Sequence, residues 1–328
     1  MKQKQILILS TDSDGSTTKV IRWIHYLAPT IQVVRLHPED VVNGMCFHNL
    51  SEKNISIRLK STILNSNNIG VVWTRKWHSD VVNISTDDKK LQPVIGELEK
   101  NMQQEFCAVY DYFIYLLESN KKIQWLNRPK LGTPNKLQQL SIAKASGLAI
   151  PSSYVVSDFL NSFSHKRFVT KPITNCCNIE YNGKTYNNYT SIIDNNESPK
   201  LFLTYIQEEI SKLLELRVFY LDGRCYTLSI HSQSNDKTKV DYRQYDYSYQ
   251  NRLEYYNIPN TLVKKITIFM QKMNLQTGSL DFIYTPDEKF IFLEVNPCGQ
   301  YDIFNSCNVN PDKLIAENLI NKYYEYKR

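Results

Sequence analysis

At 328 residues, with 42% apolar and 12% aromatic content, the chain exceeds one ordinary domain and has enough apolar surface for two or three packed units. Its formal charge of +6 is spread along the chain, which does not suggest generic nucleic-acid binding and suits local attraction for an anionic ligand. Seven cysteines without CxxC or zinc-type spacing argue against a disulfide framework or zinc site. The apolar run Ile6 to Leu9 is too short for a signal peptide or a membrane span, so a cytoplasmic protein is expected.

The opening "KQILILSTDSDGSTTKVIRWIHYL" reads as a buried strand, a polar turn with Ser and Asp caps, and a helix with apolar positions Val20, Ile21, Ile24 and Leu27. Strands follow in "IQVVRL", "NISIRLK" and "NIGVVWTRKW", and Lys89 to Leu117 has a long helical period. Residues 1–122 therefore form an expected small α/β domain. Pro129, Gly132 and Pro134 punctuate the next stretch, and Asn135 to Ser146 reads as a helix closed by Gly147, with "IPSSYVV" as the following strand.

Beyond it come a strand in "RFVTKPI", a polar Asn- and Tyr-rich stretch from Thr174 to Ser198, and a strand in "KLFLTYIQEEI". The segment "LELRVFYLDGRCYTLSIHS" reads as a hairpin turning at Asp222-Gly223, followed by a helix around Thr261 to Met273 and a C-terminal helix from Pro311 to Tyr324. Cys176 and Cys177 are adjacent; two small residues in a loop or strand is the plainer reading than a redox pair.

The run "DFIYTPDEKFIFLEVNPCGQYD" carries Asp281, Glu294 and Asn296 inside two otherwise apolar strands. If the turn centres on Asp287 and Glu288, Asp281 faces Glu294 across the ladder and Asn296 shares the face of Glu294. Opposed carboxylates repel unless a cation lies between them, and magnesium takes a few such oxygens while leaving its other positions to water and phosphate. A hydrated edge is the bland alternative for a lone acidic pair; the added Asn296 favours the cation. No P-loop is present, because the upstream glycine that "NGKTY" would need is Asn178, and GxGxxG is absent. Basic side chains must then meet a phosphate: Lys136 opening a helix, Lys171 in "FVTKPI", Arg217 in "LELRV" and Arg243 in "DYRQYD".

Taken in order with the acidic hairpin, "NRPKLGTPNKLQQLSIAKASGLAIPSSYVVSD", "FVTKPI", "YIQEEISKLLELRVFYLDG", "DYR" and "DFIYTPDEKFIFLEVNPCGQ" make the chain resemble the ATP-grasp family. More narrowly it resembles the graspetide peptide maturases of the microviridin and grasp-with-spasm types, over roughly Trp125 to Leu319, and "VVWTRKW" resembles their preceding domain. The resemblance implies an α/β (α+β) chain with the ATP-grasp fold: two lobes enclosing ATP, residues 123–205 and 206–328, after the N-terminal domain. It implies that Lys136 and Lys171 contact phosphate, and that Gln207, Glu208, Glu209 and Ile210 line the adenine, largely through backbone groups. Glu215 would hold the ribose, Arg217 the terminal phosphate, and Asp281, Glu294 and Asn296 the magnesium. Arg243 would face the acceptor side and bind a substrate carboxylate. One departure is visible: the glycine-rich flap of glutamate-ligase relatives is replaced by "PITNCCNIEYNGKTYNNY", with Gly183 alone.

The implied reaction is ATP-dependent macrocyclisation of a ribosomally made precursor peptide, with Asp or Glu side chains activated as acyl phosphates and joined to Ser, Thr or Lys. The enzyme is expected to be a homodimer, with neither nucleic acid nor membrane as partner. His231 is a candidate base, though a plain turn histidine is the favoured reading. The Tyr-rich stretch Asp241 to Tyr256 reads equally as peptide surface or as solvated loop. Two rivals stand: an ATP-dependent ligase adding an amino acid to a protein or small molecule, and a silent peptide-binding scaffold.

Overall fold

The computed structural model describes residues 4–47, 54–60, 62–77, 81–129, 135–157, 167–174, 178–182, 184–187, 190–193, 202–233 and 251–327. The chain divides into two compact units, Met1–Gly132 with Asn310–Arg328, and Thr133–Val309.

The first unit begins with β1 (Gln5–Leu9), α1 (Gly15–Leu27), β2 (Gln32–Leu36) and α2 (Pro38–Gly44). It continues through β3 (Met45–Phe47), β4 (Ile55–Arg58), β5 (Ile63–Asn65), β6 (Ile69–Thr74), α3 (Gln92–Ser119) and β7 (Gln124–Leu126). The main sheet is parallel in the order β2-β1-β6-β7, and β3, β4 and β5 form a small antiparallel sheet. Buried along its whole length, β1 is apolar from Ile6 to Leu9, as suits a central parallel strand. Phe106, Tyr110, Phe113 and Leu117 of α3 pack against Leu7, Leu9, Ile69 and Val72. In α1 the buried stripe is Ser16, Thr17, Val20 and Ile24. Ile21 is only half-buried and Leu27 is exposed, because in the last turn Ala28 takes the covered place expected for Leu27.

The polar turn after β1 is a buried electrostatic knot. Asp14 caps α1, and its Oδ2 accepts from Thr17 Oγ1 at 2.5 Å and Arg75 Nε at 3.0 Å, while Lys76 Nζ lies 3.1 Å from Oδ1. Arg35 Nη2 donates to the Asp14 carbonyl at 3.2 Å. The arginine and lysine of "WTRKW" thus lock the helix start to the end of β6.

The second unit contains α4 (Lys136–Ala145), β8 (Ser153–Val156), β9 (Phe168–Thr170), β10 (Asn178–Tyr181), β11 (Lys184–Asn187), β12 (Ser191–Ile192) and β13 (Thr204–Glu208). Then come β14 (Leu214–Leu221), β15 (Arg224–His231), β16 (Arg252–Tyr255), α5 (Asn260–Lys272), β17 (Thr277–Tyr284) and β18 (Phe290–Asn296). One antiparallel sheet has the order β12-β9-β13-β8 and a larger one β16-β15-β14-β17-β18. The expected turn at Asp222-Gly223 is present, with φ of 47° and 90°, the positive pair that an Asp-Gly hairpin supplies at low cost. Leu262, Ile266, Phe269 and Met270 bury one face of α5, and the Phe269 ring packs tilted against Phe292 with centroids 4.9 Å apart.

Three segments differ from expectation. The first domain does not end at residue 122, because β7 pairs with β6 as its fourth parallel strand. Residue 206 is no boundary either, since β13 runs through it and pairs with both β8 and β9. The last helix, α6 (Pro311–Lys327), belongs to the first unit, where it packs on α1 and β6, and Tyr323 donates its hydroxyl to the Lys4 carbonyl at 3.1 Å.

Burial alone would raise the Asp14 carboxyl, but Arg75, Thr17 and Lys76 outweigh it and hold it below the ordinary carboxylate range. The stability Asp14 contributes is therefore present above its unfolded value of about 4 and lost as pH falls through the lower folded value. Asp14→Asn should cost about 3 kcal/mol at neutral pH, by stranding buried Arg75, and should flatten the acid limb of stability. Urea unfolding across that pH range measures both effects.

Candidate nucleotide and metal site

The last hairpin places the acids. Asp281 pairs with Glu294 and Ser279 with Asn296, as expected, but by a different turn. Thr285 N bonds Lys289 O at 3.0 Å with Glu288 at φ 61°, and one extra residue in β18, Leu293, shifts the ladder between Phe282 and Asp281. On the other side of β17, Arg217 lies directly opposite Asp281 and donates from Nη1 to Oδ1 at 2.9 Å and Oδ2 at 3.1 Å. Its Nη2 donates to the Gln300 carbonyl at 3.1 Å.

That carbonyl arrives through the loop that ends β18. Asn296 Oδ1 accepts from Cys298 N at 3.0 Å and Asn296 O from Gly299 N at 3.1 Å, a turn within a turn. A Cβ on Gly299 would fall 2.6 Å from Ser279 Cβ, so the close approach needs glycine.

Lys136 is the first residue of α4, which Asn135 caps by accepting from Leu137 N and Gln138 N. Lys136 Nζ lies 3.4 Å from Glu294 Oε2 and donates to the Pro172 carbonyl at 2.9 Å. Lys171, half-buried just beyond β9, directly precedes that proline in the chain. The same helix seals the edge of β18, where Gln139 Oε1 accepts from Val295 N at 2.8 Å and Ala149 O accepts from Phe292 N at 2.8 Å.

Asp281 pairs with Arg217 and Glu294 with Lys136, while the two acid side chains stay 20% and 19% exposed. Among the described residues no group of three or more His, Cys, Asp or Glu could hold a metal by itself. A cation between these two acids therefore needs oxygens from elsewhere, and Asn296 on the same face with a bound phosphate fits magnesium's preference.

Along β13 the expected adenine contacts are only partly available. Glu208 N donates to Ser152 O and Glu209 N to Arg167 O, both at 2.9 Å, which narrows backbone recognition to carbonyls and Ile210. The Glu209 carboxylate pairs with Arg167 at 3.0 Å. Gln207 is buried and donates to Tyr205 OH at 2.7 Å and to Ser153 Oγ at 3.2 Å, so its side chain orders the sheet. Burial pushes the Tyr205 phenol up; the Ser153 bond opposes this and the Glu294 charge adds to it, which sets Tyr205 in the field of the acidic hairpin.

Glu215 Oε1 accepts from Lys212 Nζ and Ser232 Oγ, each at 2.7 Å. Sequence reasoning missed these two partners: Lys212 stands three residues before Glu215, but Ser232 meets it only through the β14–β15 pairing. The β10–β11 hairpin was also missed, although Asn182, at φ 48°, and Gly183 form the Asn-Gly dipeptide that favours such a turn. His231 Nε2 lies 3.1 Å from Glu254 Oε2, and Arg252 also pairs with that carboxylate, holding it below its ordinary range. Part of the Tyr-rich stretch is β16, paired with β15. Arg243, Cys176 and Cys177 lie outside the described residues.

No family model matches the chain, and no curated protein does. Solved structures do. An ATP-grasp ligase of Chryseobacterium gregarium associated with ribosomal peptide modification, in complex with ADP and a leader and core peptide, is 20% identical, with a TM-score of 0.79 over 98% of this chain and 97% of that one. The macrocyclase MdnC of Microcystis aeruginosa MRC, bound with precursor peptide MdnA, is 21% identical, with a TM-score of 0.77 over 97% and 99%. The ATP-grasp ligase PsnB, complexed with a phosphomimetic variant of its minimal precursor, Mg and ADP, is 15% identical, with a TM-score of 0.71 over 98% and 99%. The chain has the ATP-grasp fold. No helix among the described residues is long and apolar enough to cross a membrane.

Gly299→Ala should destabilise the second unit by about 1–3 kcal/mol, the cost of overpacking, and Ser279→Gly in the same chain should recover part of it. Thermal unfolding of the two single variants and the double variant checks the contact.

Proposed function

We propose that this protein is an ATP-dependent peptide macrocyclase, which activates Asp or Glu side chains of a ribosomally made precursor and joins them to Ser, Thr or Lys side chains of the same peptide. The observation that carries the reading is the convergence of Lys136, Glu294, Asp281 and Arg217 within one ATP-grasp unit. The ADP, magnesium and precursor peptides of the similar structures support both the cofactors and the peptide partner.

In this reading ATP is a substrate, with Lys136, Lys171 and Arg217 on its phosphates, Glu215 at the ribose and Gln207 to Ile210 beside the adenine. Asp281, Glu294 and Asn296 hold magnesium, which supplies neutralisation of phosphate charge. A peptide carboxylate oxygen attacks the γ-phosphorus and the bond to ADP breaks, leaving an acyl phosphate. A hydroxyl or amine of the same peptide then attacks the acyl carbon, gives up its proton, and phosphate departs with the carboxylate oxygen. The peptide loses one water for each ring.

Little covalent chemistry falls to the protein: its groups stabilise charge and fix geometry. With ATP bound, Arg217 can turn its guanidinium from Asp281 toward phosphate, and Asp281 and Glu294 would then hold magnesium, which would compensate their charge in place of the resting ion pair. Arg243, whose planar fork suits a carboxylate, is assigned the acceptor side. The enzyme works in the cytoplasm, where ribosomal peptide and ATP meet, and as a homodimer.

Incubation with ATP, magnesium and a Thr- and Glu-rich precursor peptide encoded nearby should lower the peptide mass by steps of ~18 Da, one water per ring. Glu294→Ala should abolish the steps, and Lys136→Met should raise the KM for ATP about tenfold or more. A mass gain of one amino-acid residue would instead establish the carboxylate–amine ligase, and nucleotide binding without any mass change the silent scaffold.

A further inference from the structure

Glu215 differs from the other acids of the proposed nucleotide site in what a nucleotide brings to it. In the proposed reading, Asp281 and Glu294 exchange Arg217 and Lys136 for a metal ion. A ribose offers only neutral hydroxyls. The charge of Glu215 must therefore be compensated by the chain itself, both before a nucleotide covers it and after.

The compensating groups are in place. Glu215 lies on β14 two residues before Arg217, hence on the face that Arg217 shares with Asp281. It is buried, and its Oε1 accepts from Lys212 Nζ and from Ser232 Oγ, each at 2.7 Å. The Lys212 and Glu215 side chains are each only 11% exposed, and a lysine so covered is normally one held in an ion pair. The backbone beside Lys212 is pinned, because Leu213 N donates to Tyr284 O at 2.8 Å.

Ser232, wholly buried just past β15, completes the arrangement. A carboxylate can only accept, so the single proton of the Ser232 hydroxyl is spent on Glu215, and the same oxygen accepts from Gln233 Nε2 at 3.3 Å. A cation and an oriented hydroxyl thus converge on one oxygen of one acid.

We infer that Lys212 and Ser232 are positioning residues that set the sugar specificity of the nucleotide site. Lys212 keeps the Glu215 carboxylate ionised beneath a bound nucleotide, and Ser232 fixes its orientation. Both short bonds end on Oε1, so the ribose diol is assigned to Oε2. Lys212 consequently stays with Glu215 throughout, whereas Lys136, Lys171 and Arg217 serve phosphate. A site that accepts hydrogen bonds from a hydroxyl rejects the analogue without it, because the covered acid is then left short of donors. The inference rests on the nucleotide reading and deepens it, naming what the site demands of the sugar.

Calorimetric titration of the full chain with ATP and with 2′,3′-dideoxy-ATP, each with magnesium, tests it without any peptide. The wild-type chain should bind ATP about tenfold or more tightly than the dideoxy analogue, the scale of a lost hydrogen bond to a charged group. Ser232→Ala and Lys212→Met should each weaken ATP and leave the dideoxy analogue nearly unchanged, so the preference shrinks. Lys212→Arg, which keeps the charge and a donor, should retain most of it. Thermal unfolding reports whether Lys212→Met still folds; if it does not, Ser232→Ala decides, since it removes one bond and no charge. Variants that weaken both nucleotides equally, or a wild-type chain that binds both alike, would overturn the inference and leave the nucleotide reading standing. A chain that binds neither would overturn both.

Discussion

Asp281 and Glu294 stand side by side on neighbouring strands, and such a pair persists in a sheet only if positive charge compensates it. The chain provides that charge from two directions. Arg217 comes from the adjacent strand β14, so its distance is fixed by the ladder. Lys136 comes from the start of α4, a helix that covers the ladder's edge where Gln139 Oε1 accepts from Val295 N. Removing either cation leaves a carboxylate poorly compensated, so the sheet edge, the helix position and the loop around Gly299 all depend on one balance of charge.

In the proposed reading, the same balance would suit the site to nucleotide. There Asp281 and Glu294, paired with Arg217 and Lys136, would exchange those partners for the metal of a metal-bound triphosphate, whose remaining negative charge the released cations would meet. The lysines and the arginine then serve phosphate while the acids serve the metal. Recognition and folding stability use the same four side chains, which ties substrate binding to local order in the second unit.

Local pattern made much of this legible. The Asp222-Gly223 turn follows from the positive φ those residues accept, the α4 boundaries from Asn135 and Gly147, and the facing of Asp281 and Glu294 from period-two alternation. That last pairing was reached with the wrong turn: a wider loop and the extra residue Leu293 cancel, and no composition rule reveals a bulge whose residues are all apolar. The β10–β11 hairpin carried a readable Asn-Gly signal that polar composition obscured.

What was not legible is non-local. Nothing in the C-terminal helix says that it returns to the first unit, since α6 meets α1 and β6 across nearly the whole chain length. Ser232 finds Glu215 only once β14 and β15 pair, and Gln207 finds Ser153 only once β13 and β8 pair. The most direct test of the central claim is electron paramagnetic resonance of Mn²⁺ titrated into the protein with and without ATP. The charge balance predicts that manganese is bound tightly only when nucleotide is present, and weakly with Glu294→Gln in either case. Tight binding of manganese without nucleotide, or binding indifferent to Glu294→Gln, would contradict it.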